Sequence, residues 1–81
     1  MATEARLAEL TLNKLRVWNP AFAAADLDRP MAALSVDSLD RLEVVHLLER
    51  ECQTMADLDV IMEYETFRDY INYFLDPTAV A

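Results

Sequence analysis

The chain has 81 residues, 54% of them apolar, with 15 acids against 7 Lys and Arg, a formal charge of −8, one Cys and no Gly. That length holds one domain, expected to span 1–81 with an ordered core at about 3–76, and the apolar share is too high for a disordered acidic tail. Few bases exclude a phosphate-backbone binder, a single cysteine excludes an internal disulfide or a thiolate metal cluster, and the lack of glycine excludes the phosphate-cradling loops.

Residues 3–18 read as the first helix. Thr3 is its cap, and Glu4 suits the positive end of the helix dipole. Leu7, Leu10 with Thr11, the Lys14 stem, Val17 and Trp18 fall at helical spacing, and Leu12 and Leu15 widen the stripe. Pro20 ends the helix at Trp18 or Asn19.

Residues 19–37 form a long connection, with Pro20 and Pro30 in it and a short helical turn expected over 21–25. Phe22, Leu27, Met31 and Leu34 are its expected anchors. A connection this long in so small a domain usually has a function.

Residues 38–52 give the clearest helix, beginning after Asp37. Val44, Val45, Leu48 and Cys52 gather on one side, the expected core face; Leu39, Leu42 and His46 gather on a second. A second apolar face is either extra core or a docking surface. Beyond it, Gln53 and Thr54 mark a turn, and Asp57 starts a short helix through Met62. The last helix is expected over 67–75, capped by Thr66, with Phe67, Tyr70, Ile71, Phe74 and Leu75 at i, i+3, i+4, i+7 and i+8. Asp76-Pro77 ends it, and Thr78–Ala81 reads as a loose tail. The pattern is a small all-α bundle with a long first loop and no strand.

Charge divides along the chain. Residues 1–33 hold four acids and four bases, and residues 34–81 hold eleven acids and three bases, so the second part carries the whole −8. Such a one-signed field favours basic partners, although solubility alone also accounts for it. No apolar run is long enough to span a membrane. The opening MATEARLAEL has no apolar signal core, so the expected location is cytoplasmic.

The stretch Leu34-Ser35-Val36-Asp37-Ser38-Leu39-Asp40 places a serine hydroxyl in the first turn of a strong helix, where unpaired backbone N–H groups favour negative charge. Helix-start statistics alone read Asp37 or Ser38 as a cap. The stretch also resembles the attachment site of the acyl carrier proteins, and the resemblance extends over about residues 5–75. It implies a four-helix bundle of acyl-carrier type with a shortened third helix, and 4′-phosphopantetheine held covalently on Ser38. It implies that Asp37 and Leu39 flank the arm, and that Leu39, Asp40, Leu42, Glu43 and His46 meet partners. It places Val44, Leu48 and Cys52 where the helix packs inward around the acyl chain, and it matches Met31 and Leu34 to the hydrophobic pair ending the first loop. Thr66, Phe67, Tyr70 and Ile71 match the start of the last helix.

The implied partners are a phosphopantetheinyl transferase, an acyl- or aminoacyl-loading enzyme, and a downstream synthase or transferase with basic docking surfaces; nucleic acid and membrane insertion are not implied. Two departures stand out. Ser35 occupies a position where the family usually has glycine, and the segment before the last helix is about three residues short and lacks the usual proline. Both lean towards a specialised fatty-acid or polyketide-like carrier. An aminoacyl or peptidyl carrier, and an unmodified acidic helical adaptor for a basic partner, are the alternatives.

An enzyme is not expected. His46, the only histidine, is eight residues from Ser38, about 12 Å along a helix, beyond the reach a nucleophile needs to its base. Cys52 reads as a core thiol. The acid pairs Asp57/Asp59 and Glu63/Glu65 read as a solvated edge rather than a metal site.

Overall fold

The computed structural model describes residues 3–75. Helix α1 spans Glu4–Trp18, α2 Ser38–Cys52, α3 Leu58–Ile61 and α4 Phe67–Leu75, with 3₁₀ turns at Ala24–Asp28 and Met31–Leu34 in the first connection. The described residues contain no strand, so the protein is an all-α four-helix bundle with a long first loop and a one-turn third helix, as expected. The expected stop at Asp76-Pro77 and the tail Thr78–Ala81 lie outside the described residues.

Each helix starts where its cap chemistry dictates. Thr3 Oγ1 accepts a hydrogen bond from the Arg6 N–H at 3.2 Å, which satisfies one of the donors orphaned at the start of α1. Asp57 caps α3 by accepting from the Asp59 N–H at 3.1 Å. Thr66 does the same for α4, accepting from the Asp69 N–H at 3.1 Å. At the other end of α2, Gln53 takes a left-handed conformation, φ 53°, the geometry that ends many helices and usually belongs to glycine. A chain without glycine makes this stop at some conformational cost.

The core is built from Leu7 and Leu15 of α1, Leu27 and Met31 of the first connection, Val44, Val45 and Leu48 of α2, Ile61 of α3, and Phe67, Tyr70, Ile71, Tyr73 and Phe74 of α4. Helix α1 packs on α2 and α4, α2 packs on α4, and the first 3₁₀ turn rests on α1 and α4. Burying each large apolar side chain is worth about 1.5–3 kcal/mol, so α4, with five inward residues in nine, is the principal hydrophobic contributor for its length. Phe67 and Tyr70 meet edge to face at 5.7 Å, as do Tyr73 and Phe74 at 5.5 Å, the arrangement that aromatic quadrupoles favour.

Three expectations need correction. The buried stripe of α1 is Leu7, Thr11 and Leu15, spaced four apart, and not the Leu10–Lys14–Val17–Trp18 line. Val17 is 76% exposed and Trp18 38%. Trp18 instead lies under the Lys14 ammonium, 5.5 Å from the ring centroid, a cation–π contact at the helix surface. The helical turn of the first connection falls at Ala24–Asp28 and not at 21–25. The Ala23 N–H donates to Asp26 Oδ2 at 2.8 Å, and that bond sets the turn's start. In α4, Leu75 leaves the expected stripe at 36% exposed, while Tyr73, expected with the other aromatics to pack in the bundle, is inside.

The first connection is tied down along its length. Met31 N–H donates to the Glu65 carbonyl at 2.7 Å, which joins the second 3₁₀ turn to the link between α3 and α4. Arg68 of α4 bonds both Asp28 of the connection and Glu4 of α1, each at 3.2 Å. On the far side, the Asp57 N–H donates to Tyr73 Oη at 3.0 Å and the Ala56 N–H to Glu49 Oε2 at 2.7 Å. These two bonds fix the approach to α3 against α4 and α2. Together the ties hold the start of α2 at a set height above the core.

Candidate carrier site at the start of helix α2

Asp37 is the N-cap of α2. Its Oδ1 accepts from the Asp40 N–H at 2.9 Å, and Asp40 Oδ2 accepts from the Asp37 N–H at 3.3 Å. This reciprocal capping box satisfies two donors with two carboxylates, both of them favoured at the positive end of the helix dipole. Of the two cap candidates in the sequence, Asp37 takes the role. Ser38 is the first residue of α2 and is exposed, so its hydroxyl is free of capping duty and faces solvent.

The turn leading into this site is strained. Ser35 closes the second 3₁₀ turn at φ 60° and ψ 35°. A residue with a Cβ pays about 1–2 kcal/mol for that left-handed conformation. The sequence departure from glycine therefore keeps the glycine-like backbone. One residue on, Val36 is buried and pins the chain to the core.

The remaining residues singled out in the sequence do not all share one surface. Leu39 is 72% exposed, Leu42 is half-buried, and Glu43 and His46 are exposed. Spacings of three, four and seven put these four on one side of α2. Glu43 and His46 border a groove of about 710 Å³ that runs past Leu47 and Arg50 to Met55, with Lys14 of α1 on its other wall. His46 Nε2 stands 4.0 Å from Glu49 Oε1. Asp40, three residues before Glu43, lies at the edge of this group. It lines a smaller cleft of about 200 Å³ with Trp18, Phe22, Leu34 and Val36, and its carboxylate is engaged in the capping box.

On the inner side of α2, Val44, Val45 and Leu48 are fully buried. Cys52 is only half-buried and packs against the edge of the core. Burial pushes its thiol above the ordinary value, with the neighbouring Glu51 charge adding to the shift, which disfavours the reactive thiolate. Burial also pushes the Tyr70 hydroxyl up, while the Arg41 charge pulls the other way. Arg41 is half-buried. Its spacing of three and four to Val44 and Val45 was the signal that it faces inward.

Among the described residues no cluster of His, Cys, Asp and Glu is arranged to hold a metal, and no helix is long and apolar enough to cross a membrane. Asp57 of the two acid pairs is used as the cap of α3. No curated protein and no solved structure matches the chain closely enough to count as a relative. The family described as the phosphopantetheine attachment site matches residues 6–74, a span that takes in all four helices but for the first two residues of α1 and the last residue of α4. With an exposed serine opening a capped α2 inside that span, the chain belongs to the phosphopantetheine-binding carrier family, whose members carry intermediates and do not catalyse.

Proposed function

We propose that Ser38 bears the phosphopantetheine arm and that the single domain, residues 1–81, presents acyl intermediates to separate enzymes in the cytoplasm. The observation that carries this reading is the division of labour at the start of α2. Asp37 caps the helix, which leaves the exposed Ser38 hydroxyl available for a covalent bond. Loading is then a phosphoryl transfer. Ser38 Oγ forms a bond to the phosphorus of coenzyme A that carries the pantetheine, the hydroxyl proton leaves, and adenosine 3′,5′-bisphosphate departs. The arm supplies a terminal thiol that holds cargo as a thioester.

The chain's own contribution is position and recognition. The capping box and the loop ties keep Ser38 at a fixed point, so the transferring enzyme meets it without an ordering cost. Leu39, Leu42, Glu43 and His46 form the partner face, an apolar centre with acidic character suited to a basic docking surface. Asp37 and Asp40 add negative field beside Ser38 and steer a basic transferase. Partners of this kind are a phosphopantetheinyl transferase, a loading enzyme and a downstream synthase. The shortened α3 supports a specialised fatty-acid or polyketide-like pathway; an aminoacyl cargo is the alternative for the same arm.

Intact mass before and after incubation with coenzyme A and a broad-specificity phosphopantetheinyl transferase tests the reading. The expected outcome is a gain of one phosphopantetheine group that Ser38→Ala abolishes while retaining the helical spectrum. Addition to the Ser38→Ala form refutes the site. A folded, unmodified protein that gains nothing points instead to an acidic adaptor using the exposed Leu39 face.

A further inference from the structure

Arg41 is the most unusual residue near the proposed attachment point. It lies one turn after Ser38, on the face that continues into Val44, Val45 and Leu48, all fully buried. Side chains on a helix lean towards its N-terminus, so the Arg41 stem inclines towards Ser38. Its Nε is shielded from solvent and has no hydrogen-bond partner. It enters none of the ion pairs among the described residues, although the chain holds more than twice as many acids as bases. A shielded guanidinium nitrogen left without an acceptor is costly, and such groups are few in folded proteins.

The surroundings of Arg41 form a small site. A cleft of about 220 Å³ opens between the second 3₁₀ turn, α2 and the link from α3 to α4. Met31, Met62 and Tyr64 give it an apolar lining, Arg41 lies in its wall, and Glu63 and Glu65 are exposed at its margin. The volume is roughly seven times the share of one liquid water, so it suits a short group. A partly apolar lining beside a guanidinium group is a composition that small-molecule sites use, and the Arg41 Nε, closed off at the cleft, needs only a side-chain adjustment to meet an acceptor there.

We infer that Arg41 anchors an oxygen acceptor of the group carried on Ser38 and, where that oxygen belongs to the cargo, selects for short cargo that bears one. The inference rests on the proposed attachment at Ser38. Two oxygens could serve: the phosphodiester of the arm itself, or a distal carboxylate or keto oxygen of the cargo seated in the cleft. Both are met by the same charge-assisted N–H···O bond, and a guanidinium is well matched to either. Glu63 and Glu65 do not displace them, because neither carboxylate reaches Arg41 within ion-pair distance.

The experiment follows the Arg41 Nε–H resonance in ¹⁵N-labelled protein, assigned by its loss in Arg41→Met. Four forms are compared: unmodified, loaded from coenzyme A, loaded from butyryl-coenzyme A, and loaded from succinyl-coenzyme A. Intact mass verifies each loading. A downfield shift with roughly tenfold slower solvent exchange, the factor expected for a charge-assisted hydrogen bond, supports the inference. Its appearance with the bare arm identifies the phosphodiester. Its appearance with the succinyl form alone identifies the cargo oxygen. Arg41→Met should leave the unmodified protein at least as stable as wild type, since it removes an unpaired donor, and should lose any rise in Tm that loading gives the wild type. Confirmed loading with no change in the Arg41 resonance overturns this inference alone, as does an equal rise in Tm with Arg41→Met. No loading at all overturns the Ser38 reading, and this one with it.

Discussion

Replacing Ser35 with glycine should stabilise the protein. Ser35 sits at φ 60° and ψ 35°, where its Cβ costs about 1–2 kcal/mol. Glycine removes that cost but loses more backbone freedom on folding, about 0.5–1 kcal/mol. The net expected gain is roughly 0.5–1 kcal/mol, or a rise in Tm of about 2–8 °C for a domain of this size. Ser35 makes no side-chain hydrogen bond among the described residues, so no lost contact offsets the gain. Urea and thermal unfolding followed by the helical circular-dichroism signal give the difference directly. Ser35→Asn, which tolerates the left-handed region better than serine, should fall between the two. Ser35→Ala should leave stability near wild type, because it keeps the Cβ. A Ser35→Gly form no more stable than Ser35→Ala refutes the claim that the turn is strained.

Thr11 is fully buried and its Oγ1 has no hydrogen-bond partner. Thr11→Val keeps the shape, removes the unpaired hydroxyl and should add about 1 kcal/mol of stability; a loss in urea unfolding indicates a hidden partner. Asp37→Ala removes the capping box at α2 and should cost about 0.5–2 kcal/mol, with a slower rate of modification at Ser38 measured by mass against time. Cys52 should react with an alkylating reagent at about pH 8 more slowly in the folded protein than in the urea-unfolded chain, since the raised thiol pKa withholds thiolate. Equal rates contradict the burial argument.

The sequence made some of this structure legible and left some hidden, for reasons that trace to particular residues. The core face of α2 was readable because Val44, Val45 and Leu48 repeat at spacings that leave one phase possible. The caps were readable because Thr3, Asp37, Asp57 and Thr66 each stand before an apolar periodic run. Helix α1 was harder. Its leucines at 7, 10, 12 and 15 spread around the cylinder, so periodicity alone does not choose a face. Packing against α2 and α4 chose the Leu7–Thr11–Leu15 line and took a threonine into the core with it. The displaced 3₁₀ turn depended on an acceptor three residues ahead, Asp26, and not on the alanine run. At the site, the serine and its flanking acids were visible, but Arg41 was hidden by its charge: residue type pointed outward while helix phase pointed inward. Asp40 was legible as a flanking acid by its place in the motif, and its second task, closing the capping box, shows only in the hydrogen bonds.

The bond between the Met31 N–H and the Glu65 carbonyl has a consequence for how this carrier can be retuned. It joins two backbones, so neither side chain is needed to make it. Glu63 and Glu65 contribute to the cleft beside Arg41 and are exposed, so exchanging either side chain leaves the bond in place, whereas Met31 is a core residue whose exchange disturbs packing. The frame that sets the distance between the first connection and the α3–α4 link therefore does not depend on the two exposed acids at the cleft margin. The polarity of the cleft margin can be altered at Glu63 or Glu65 one side chain at a time while the framework around Ser38 stays where it is.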